Sequence, residues 1–566
     1  MDKKIVLVVV LVVMSATVFP VTGLLPTKAG IVEHMNQGVT ASADDSSIWP
    51  MFRNDPGNTG CSPFYAPNTN HLKWKKQITS QIYGATPILY GENVYISTNW
   101  YYKGGPSKTI DPLQMTPSLS PQEFIQNILE TQHDESSGLY CLNADTGAEV
   151  WSRQLYAPND PAVVDDKLYV SDLNINSYYS VFYCLNPATG DIIWQKTINS
   201  LIVSPMIVAD GKIFLGCLDL PSYSGSLKCY DLSGNHLWNR PLSGDEVIWF
   251  SAPAYSEGRV FFISTNMYSY WGGKLYCLNA ENGQVSWTRP IFTLFYINSP
   301  SPACANGKVY VTDFDLYTYE GTLKCFDAST GNPLWTGYLG AILSLMTPAI
   351  SEDSVYVAGM DMYSSYLDNW LYRFDINGTY LWRVSLPSSS YFAFSGVVCA
   401  MEKVIVSSAM YYGYSNELFC YDRFDGSLFW SFITDDYIIG QPSIGEDRTY
   451  FADYAGNVYA IEDIVKIQSI SGGLFGVNAR IQNMDNQPIT NIVWNITVVG
   501  GAMGLVDQAR SGTIQELPAN QSRVIRLIPV LGLGRVQVTV KATMTDGSMI
   551  KKTAHAMVLG TICIMI

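Results

Sequence analysis

GKLYCLNAENGQVSW, Gly273 to Trp287, is a unit that this chain repeats. Lys274 to Leu278 reads as a strand, Asn279 to Gly283 supplies turn residues, and Gln284 to Trp287 resumes an extended pattern. The same order recurs in GLYCLNADTGAEVW ending at Trp151, VFYCLNPATGDIIW at Trp194, GSLKCYDLSGNHLW at Trp238, GTLKCFDASTGNPLW at Trp335, NWLYRFDINGTYLW at Trp382 and NELFCYDRFDGSLFW at Trp430. Self-similarity at a fixed period signals a repeat architecture before any single residue is considered.

Working outward, each unit is preceded by a Pro-containing lead, a strand, a turn and a second strand, as in SPMIVADGKIFLGC from Ser204 and SPACANGKVYVTD from Ser301. One repeat is therefore a four-stranded meander. The Trp-to-Trp spacings from Trp151 are 43, 44, 49, 48, 47 and 48 residues, a period that with four strands per unit describes a propeller blade. Eight copies can be counted. The last, from Gly440 to Asp463, lacks its Trp strand, whereas HLKWKKQ around Trp74 lacks the strand and turn that should precede it. Pairing the two closes the ring without leaving an open edge. The prediction is an all-β chain, an eight-bladed β-propeller over 48–465 followed by a β-sandwich over 466–566.

The first blade departs from the period, with 77 residues between Trp74 and Trp151 and the excess at 100–137. Within it Ser120-Pro121-Gln122-Glu123 reads as a helix start and Phe124, Ile125, Ile128 and Leu129 as its apolar stripe. Beyond Asp463 the repeat stops. Gly476 to Asn483, Ile492 to Val499, Val536 to Ala542 and Ser548 to Ala556 alternate apolar and polar residues, the pattern of an immunoglobulin-like sandwich, and Met557 to Ile566 reads as a terminal strand.

Of the 566 residues 13% are aromatic and 15% charged, and the net charge is -15. That balance argues against a phosphate-binding surface over the chain as a whole, and nucleic acid is not expected as a partner. Lys3 and Lys4 precede the apolar run Ile5 to Val13, which continues to about Leu25. Residues 1–25 read as a signal peptide or an N-terminal membrane anchor and 26–47 as a linker, which places the body outside the cytoplasm. Sequons at Asn377, Asn495 and Asn520 agree with export. Eleven cysteines in an exported chain would ordinarily mean disulfides. Six of them, Cys141, Cys184, Cys229, Cys277, Cys325 and Cys420, occupy one strand position, once per repeat, where other copies carry Arg373 and Ala460. They are expected to be small buried residues, too far apart to pair.

The repeat, with its A-x-T-G-x-x-x-W form at Ala144 to Trp151 and Ala328 to Trp335 and a shortened version at Ala188 to Trp194, resembles the pyrroloquinoline quinone (PQQ)-like propeller repeat. WPMFRNDPGNTG from Trp49 resembles the family's opening. The resemblance implies that Trp74, Trp151, Trp194, Trp238, Trp287, Trp335, Trp382 and Trp430 dock each blade on its neighbour. It leaves function open, because the family includes quinone-dependent dehydrogenases and cofactor-free assembly scaffolds. The dehydrogenases have adjacent cysteines beside the quinone, calcium-ligating acidic and amide residues and, in some, a C-x-x-C-H haem site. This chain has no adjacent cysteines and no C-x-x-C-H. No cofactor is expected, and PQQ with calcium belongs only to the alternative of a quinoprotein dehydrogenase.

The five histidines form no cluster with metal or nucleophile spacing, and His133-Asp134-Glu135 reads as a solvated loop, so no catalytic residue and no metal ligand is assigned. Asp172, Asp219, Asp313, Asp361 and Asp453 follow the second strand of their blades and are read as turn residues bonding their own backbone. The loops between second and third strands, together with the blade-to-blade connections, concentrate aromatics on one face. Tyr101, Tyr179, Tyr223, Trp249, Tyr270, Trp271, Tyr296, Tyr317, Tyr363 and Tyr412 are the expected ligand-binding residues. The function expected is a non-catalytic exported propeller that binds a protein or polysaccharide partner at the cell surface. A second alternative makes the sandwich the adhesive part.

Overall fold

The computed structural model describes residues 49–98 except 83, and 137–566 except 157, 175–177, 221, 268–271, 294–299, 316–317, 319, 341, 345, 362–367, 388–395, 408–415, 439, 446 and 546. The segments read as leader and linker, and the insertion with its helix start, His133, Asp134 and Glu135, lie outside them.

The described residues form β-strands and no α-helix. Eight sheets share one plan, in which an inner strand, two longer strands and an outer Trp-bearing strand pair antiparallel in that spatial order. The inner strands are Ile88–Tyr90, Ala162–Val164, Ile207–Ala209, Ala254–Ser256, Ala303–Ala305, Ala349–Ile350, Val397–Cys399 and Ser443–Gly445. Each packs against the next around an axis, and the last meets the first, so the molecule is a β-propeller. In the third, fourth and sixth blades a further short strand, Leu201–Ile202, Glu246–Val247 or Ile342–Leu343, also pairs with the second strand.

The turns explain why these sequences make hairpins. Asp210-Gly211, Glu257-Gly258 and Asn306-Gly307, at the tips of inner hairpins, have positive φ at both residues. That is the type I′ geometry whose twist matches paired strands. The third-to-outer turn is held by its first side chain: Asp327 Oδ1 accepts from the backbone N–H groups of Ser329 and Thr330 and from both hydroxyls. These bonds hold the Asp327 pKa down to about 2.

One register unites the repeats. Cys141, Cys184, Cys229, Cys277, Cys325 and Cys420 lie opposite Trp151, Trp194, Trp238, Trp287, Trp335 and Trp430, and Arg373 and Ala460 lie opposite Trp382 and Trp74. All eleven cysteines are free thiols and buried. Burial pushes Cys141, Cys229, Cys277, Cys325 and Cys420 up to about 12.

The outer-strand tryptophans join the blades. Trp74, Trp151, Trp238, Trp287 and Trp335 donate their ring N–H to a carbonyl of the following blade, at Ala144, Pro187, Ala280, Ala328 and Ile376, over 2.8–3.2 Å. The ring then lies on the glycine of that blade's outer turn. A Cβ on Gly283 would sit 2.6 Å from the Trp238 ring, and one on Gly147 2.6 Å from Trp74. Closure follows from the strand His71–Gln77, which pairs antiparallel with Asn457–Glu462 as the outer strand of the last blade. Trp430 donates to Pro67 O just before that strand.

The strand Val465–Gly472 pairs outside the blades, in a separate sheet. A three-stranded sheet of Val465–Gly472, Val477–Asn483 and Ser522–Leu527 packs against a five-stranded one. The latter comprises Val506–Leu517, Ile489–Gly500, Gly532–Thr543, Met549–Gly560 and the edge strand Ile562–Met565. Val477, Ile481, Ile496, Val498, Val538 and Val558 are among the residues of their common core. The alternation along 477–483 and 536–542 places apolar side chains inward, as a two-sheet packing requires.

Candidate functional site

The inner strands of a propeller leave an axial channel. Here residues 49–65 run around it, meeting the blades in chain order. Trp49 exchanges backbone bonds with Leu89 of the first blade, and Pro50 O accepts from Val163 N of the second. Met51 packs with Ile207 and Val208 of the third. Pro56 O, Gly57 O, Thr59 O and Gly60 O accept from Tyr255, Cys304, Ile350 and Cys399 of the fourth to seventh over 2.6–2.8 Å. At the eighth blade Ser62 Oγ donates to Ile444 O, and Tyr65 O accepts from Asp447 N. The free edge of each inner strand thus meets the chain's own N-terminal strap.

The strap is built for close approach. Arg53, Asn54 and Asn58 adopt positive φ, which asparagine tolerates and arginine rarely takes. Gly57 leaves room for the backbone of Cys304, because a Cβ there would lie 2.5 Å from its carbonyl. Gly60 does the same for the Arg53 guanidinium, 2.4 Å from where its Cβ would be. Arg53 is 0% exposed. Its Nε donates to Asn58 O (3.0 Å), Nη1 to Gln441 Oε1 (2.9 Å) and Nη2 to Pro348 O (2.7 Å), tying the sixth and eighth blades to the strap. Asn58 Nδ2 does likewise for the fourth and fifth, at Pro253 O (2.8 Å) and Pro302 O (3.1 Å). Burial lowers the Arg53 pKa to about 10 and raises that of Asp55 to about 6, although Thr59 donates to the Asp55 carboxylate.

Carboxylates near the axis are taken up by their own surroundings. Asp160, 3% exposed, accepts from Thr86 N (3.1 Å) and Ser97 Oγ (3.3 Å), and burial raises its pKa to about 7. Asp219 and Asp313 pair with Lys228 and Lys324 on the adjacent strand, and Glu246 pairs with Lys274. Asp219 and Asp313 lie within their second strands rather than in turns, each facing a lysine of the third strand, and Asp313 also accepts from Phe314 N at 3.0 Å, the bond to its own backbone that the turn reading expected. Asp453 is a turn residue that accepts from Asn457 N (2.9 Å) and the Tyr459 hydroxyl (2.7 Å).

Three of the ten aromatics expected to bind a ligand lie among the described residues. Tyr179 opens a third strand, and its hydroxyl accepts from Asn174 Nδ2 at 3.1 Å. Tyr223 is half-buried in a turn with φ +54°. Trp249 is 2% exposed, its ring edge-on to Phe250 at 4.8 Å, so it acts in packing at this surface. Tyr101, Tyr270, Trp271, Tyr296, Tyr317, Tyr363 and Tyr412 lie outside the described residues. On the same loop face Tyr437 and Tyr454, both half-buried, stack at 4.5 Å. The strap residues Arg53 and Asn58 were not singled out from sequence. Their signal is the cluster of Asn, Asp and Gly at 54–60, able to take positive φ, in a stretch that obeys neither strand nor repeat periodicity.

Among the described residues no three His, Cys, Asp or Glu side chains come together as a metal site. No two cysteines are adjacent in the chain, and the buried carboxylates described above already have partners. The described donor set does not fit a metal-bound quinone.

Residues 135–293, 223–363 and 367–465 match the family model described as outer membrane protein assembly factor BamB. No curated protein sequence matches the chain. Among solved structures, the quinohemoprotein alcohol dehydrogenase from Comamonas testosteroni superposes with a TM-score of 0.53 at 12% identity, covering 77% of this chain and 84% of that one. A europium-containing methanol dehydrogenase superposes with a TM-score of 0.51 at 11% identity, covering 81% and 92%. At such identities the likeness concerns the propeller fold.

Proposed function

The chain belongs to the family of the outer membrane protein assembly factor BamB, and from that premise we propose that it is a non-catalytic, exported propeller that binds a protein partner at the cell surface. The observation that carries this reading is the axial strap. Residues 49–65 bond to inner strands around the whole ring and bury Arg53 between them, so the axis is built as structure. Recognition then falls to the loop face, where tyrosine and tryptophan recur from blade to blade and supply rigid contact area with a polar handle. A polysaccharide is the other ligand such a face suits.

Two measurements on the full chain test the proposal. In a thermal-shift series with PQQ plus calcium, calcium alone and glycans, a saturable rise with PQQ plus calcium would replace the binding reading with a quinoprotein one. A photo-crosslinker at Tyr223, on the loop face, should give a discrete adduct in the producing cell that a crosslinker at Ser329, in an outer turn, does not. Equal labelling from both positions would overturn the loop-face assignment.

A further inference from the structure

Strand Val465–Gly472 runs away from the propeller junction for eight residues, about 25 Å at the usual rise. Four connections, with the strand ends beside them, meet at its far end: 473–476 (GLFG), 501–505 (GAMGL), 528–534 (IPVLGLG) and 559–562 (LGTI). They are tied together by backbone bonds from Val530 N to Phe475 O (3.0 Å), Cys563 N to Gly473 O (2.9 Å) and Gly501 N to Arg535 O (2.6 Å), and Leu533 pairs with Leu559. These twenty residues contain no charged side chain and one polar one, Thr561. Their large apolar side chains point outward: Leu474 is 68% exposed, Phe475 64%, Met503 97%, Leu505 80%, Leu531 51% and Leu533 59%. Soluble surfaces scatter such residues singly, and a contiguous group marks a contact surface.

Composition and charge indicate what the contact is. The exposed apolar side chains come from several separate chain segments gathered at one end of the sandwich. Behind it Arg526 and Arg535 stand exposed, with Asp507 as the neighbouring carboxylate. Residues 466–566 contain nine Lys and Arg against four Asp and Glu, a net +5, so residues 1–465 carry -20 of the overall -15. A cationic module with an uncharged apolar tip, attached to a strongly anionic body, is complementary to a negatively charged bilayer. The loops can enter the boundary between headgroups and acyl chains, while the arginines remain among the anionic headgroups.

We propose that this end of the sandwich is a docking site for an anionic lipid membrane, independent of the ligand taken by the propeller. Because all eleven native cysteines are buried, Met503→Cys introduces an accessible thiol at the tip for an environment-sensitive fluorophore. The full chain so labelled should show a blue shift and a several-fold rise in emission with phosphatidylcholine vesicles containing phosphatidylglycerol. The response should weaken with added salt and be lost when Phe475→Ser and Leu505→Ser are added. Pure phosphatidylcholine vesicles should not elicit it. A fluorophore at Ser329→Cys, on the propeller, should stay unchanged, which separates tip insertion from capture of the whole chain by residues 1–25. No change at Met503→Cys with anionic vesicles would overturn the proposal, as would an equal response to neutral ones. A response without lipid that grows with protein concentration would also overturn it, and would give the tip to a second copy of the chain.

Discussion

Replacing Asp160 by asparagine should remove a pH-dependent loss of stability that the fold builds into the junction of its first two blades. The carboxyl is buried, and burial lifts its pKa from 3.8 to about 7. Between those values the folded protein keeps the proton and the unfolded chain has lost it. The contribution of this group is therefore fully present below about pH 4 and is lost as pH rises toward 7. Three pKa units at 1.36 kcal/mol each put the loss at about 4 kcal/mol. An asparagine side chain at this position would be neutral throughout and would keep an oxygen for the N–H of Thr86 and the hydroxyl of Ser97. Urea unfolding followed by tryptophan fluorescence should give similar midpoints for the two proteins near pH 4 and a higher one for Asp160→Asn at pH 8. Because the other titrating groups are common to both, the difference between the curves isolates Asp160. Parallel curves from pH 4 to 8 would refute the reasoning.

Gly283→Ala should cost roughly 2 kcal/mol or more in thermal unfolding, since φ is +67° and the new Cβ meets the Trp238 ring, whereas Gly258→Ala, at φ +75° with nothing within 4 Å, should cost only about 1 kcal/mol. Arg53→Met leaves Asn58 O, Gln441 Oε1 and Pro348 O without their donor, a loss on the order of 3 kcal/mol, and should expose residues 49–65 to limited proteolysis ahead of the blades. A thiol-reactive chromophore should count almost no cysteine in the native protein and eleven in guanidinium; a lower count in denaturant would mean disulfides.

The propeller was legible because its determinants are local and repeated. A turn that needs glycine, a strand that puts a small residue opposite tryptophan in all copies but the one with Arg373, and a tryptophan every 43 to 49 residues all repeat the same local constraints. Even the orphan strand around Trp74 could be placed, since a missing strand in the last repeat defines its partner. The strap was not legible, because its hydrogen bonds go to residues as distant in sequence as Cys399 and Asp447 and its conformation has no period. In the sandwich, Val506–Leu517 escaped notice because only Val506, Ile514 and Leu517 of its twelve residues are buried, which leaves little alternation to read. The aromatic loops were conspicuous in composition, but composition does not distinguish a ring that faces a ligand from one that packs inward, and Trp249 is of the second kind.

Closure by His71–Gln77 has a consequence for how the molecule is made. The outer strand of the last blade leaves the ribosome nearly first, and its partner Asn457–Glu462 follows almost four hundred residues later. The strap just ahead of it likewise waits for eight inner strands that do not yet exist. Chain-entropy arguments make so long a loop only modestly costlier to close than a short one, so the delay burdens the rate of folding more than the final stability. Synthesis that halts inside any later blade leaves a ring that cannot shut, with an edge strand and a buried-arginine segment both unpaired. The native propeller is thus a checkpoint on a complete chain.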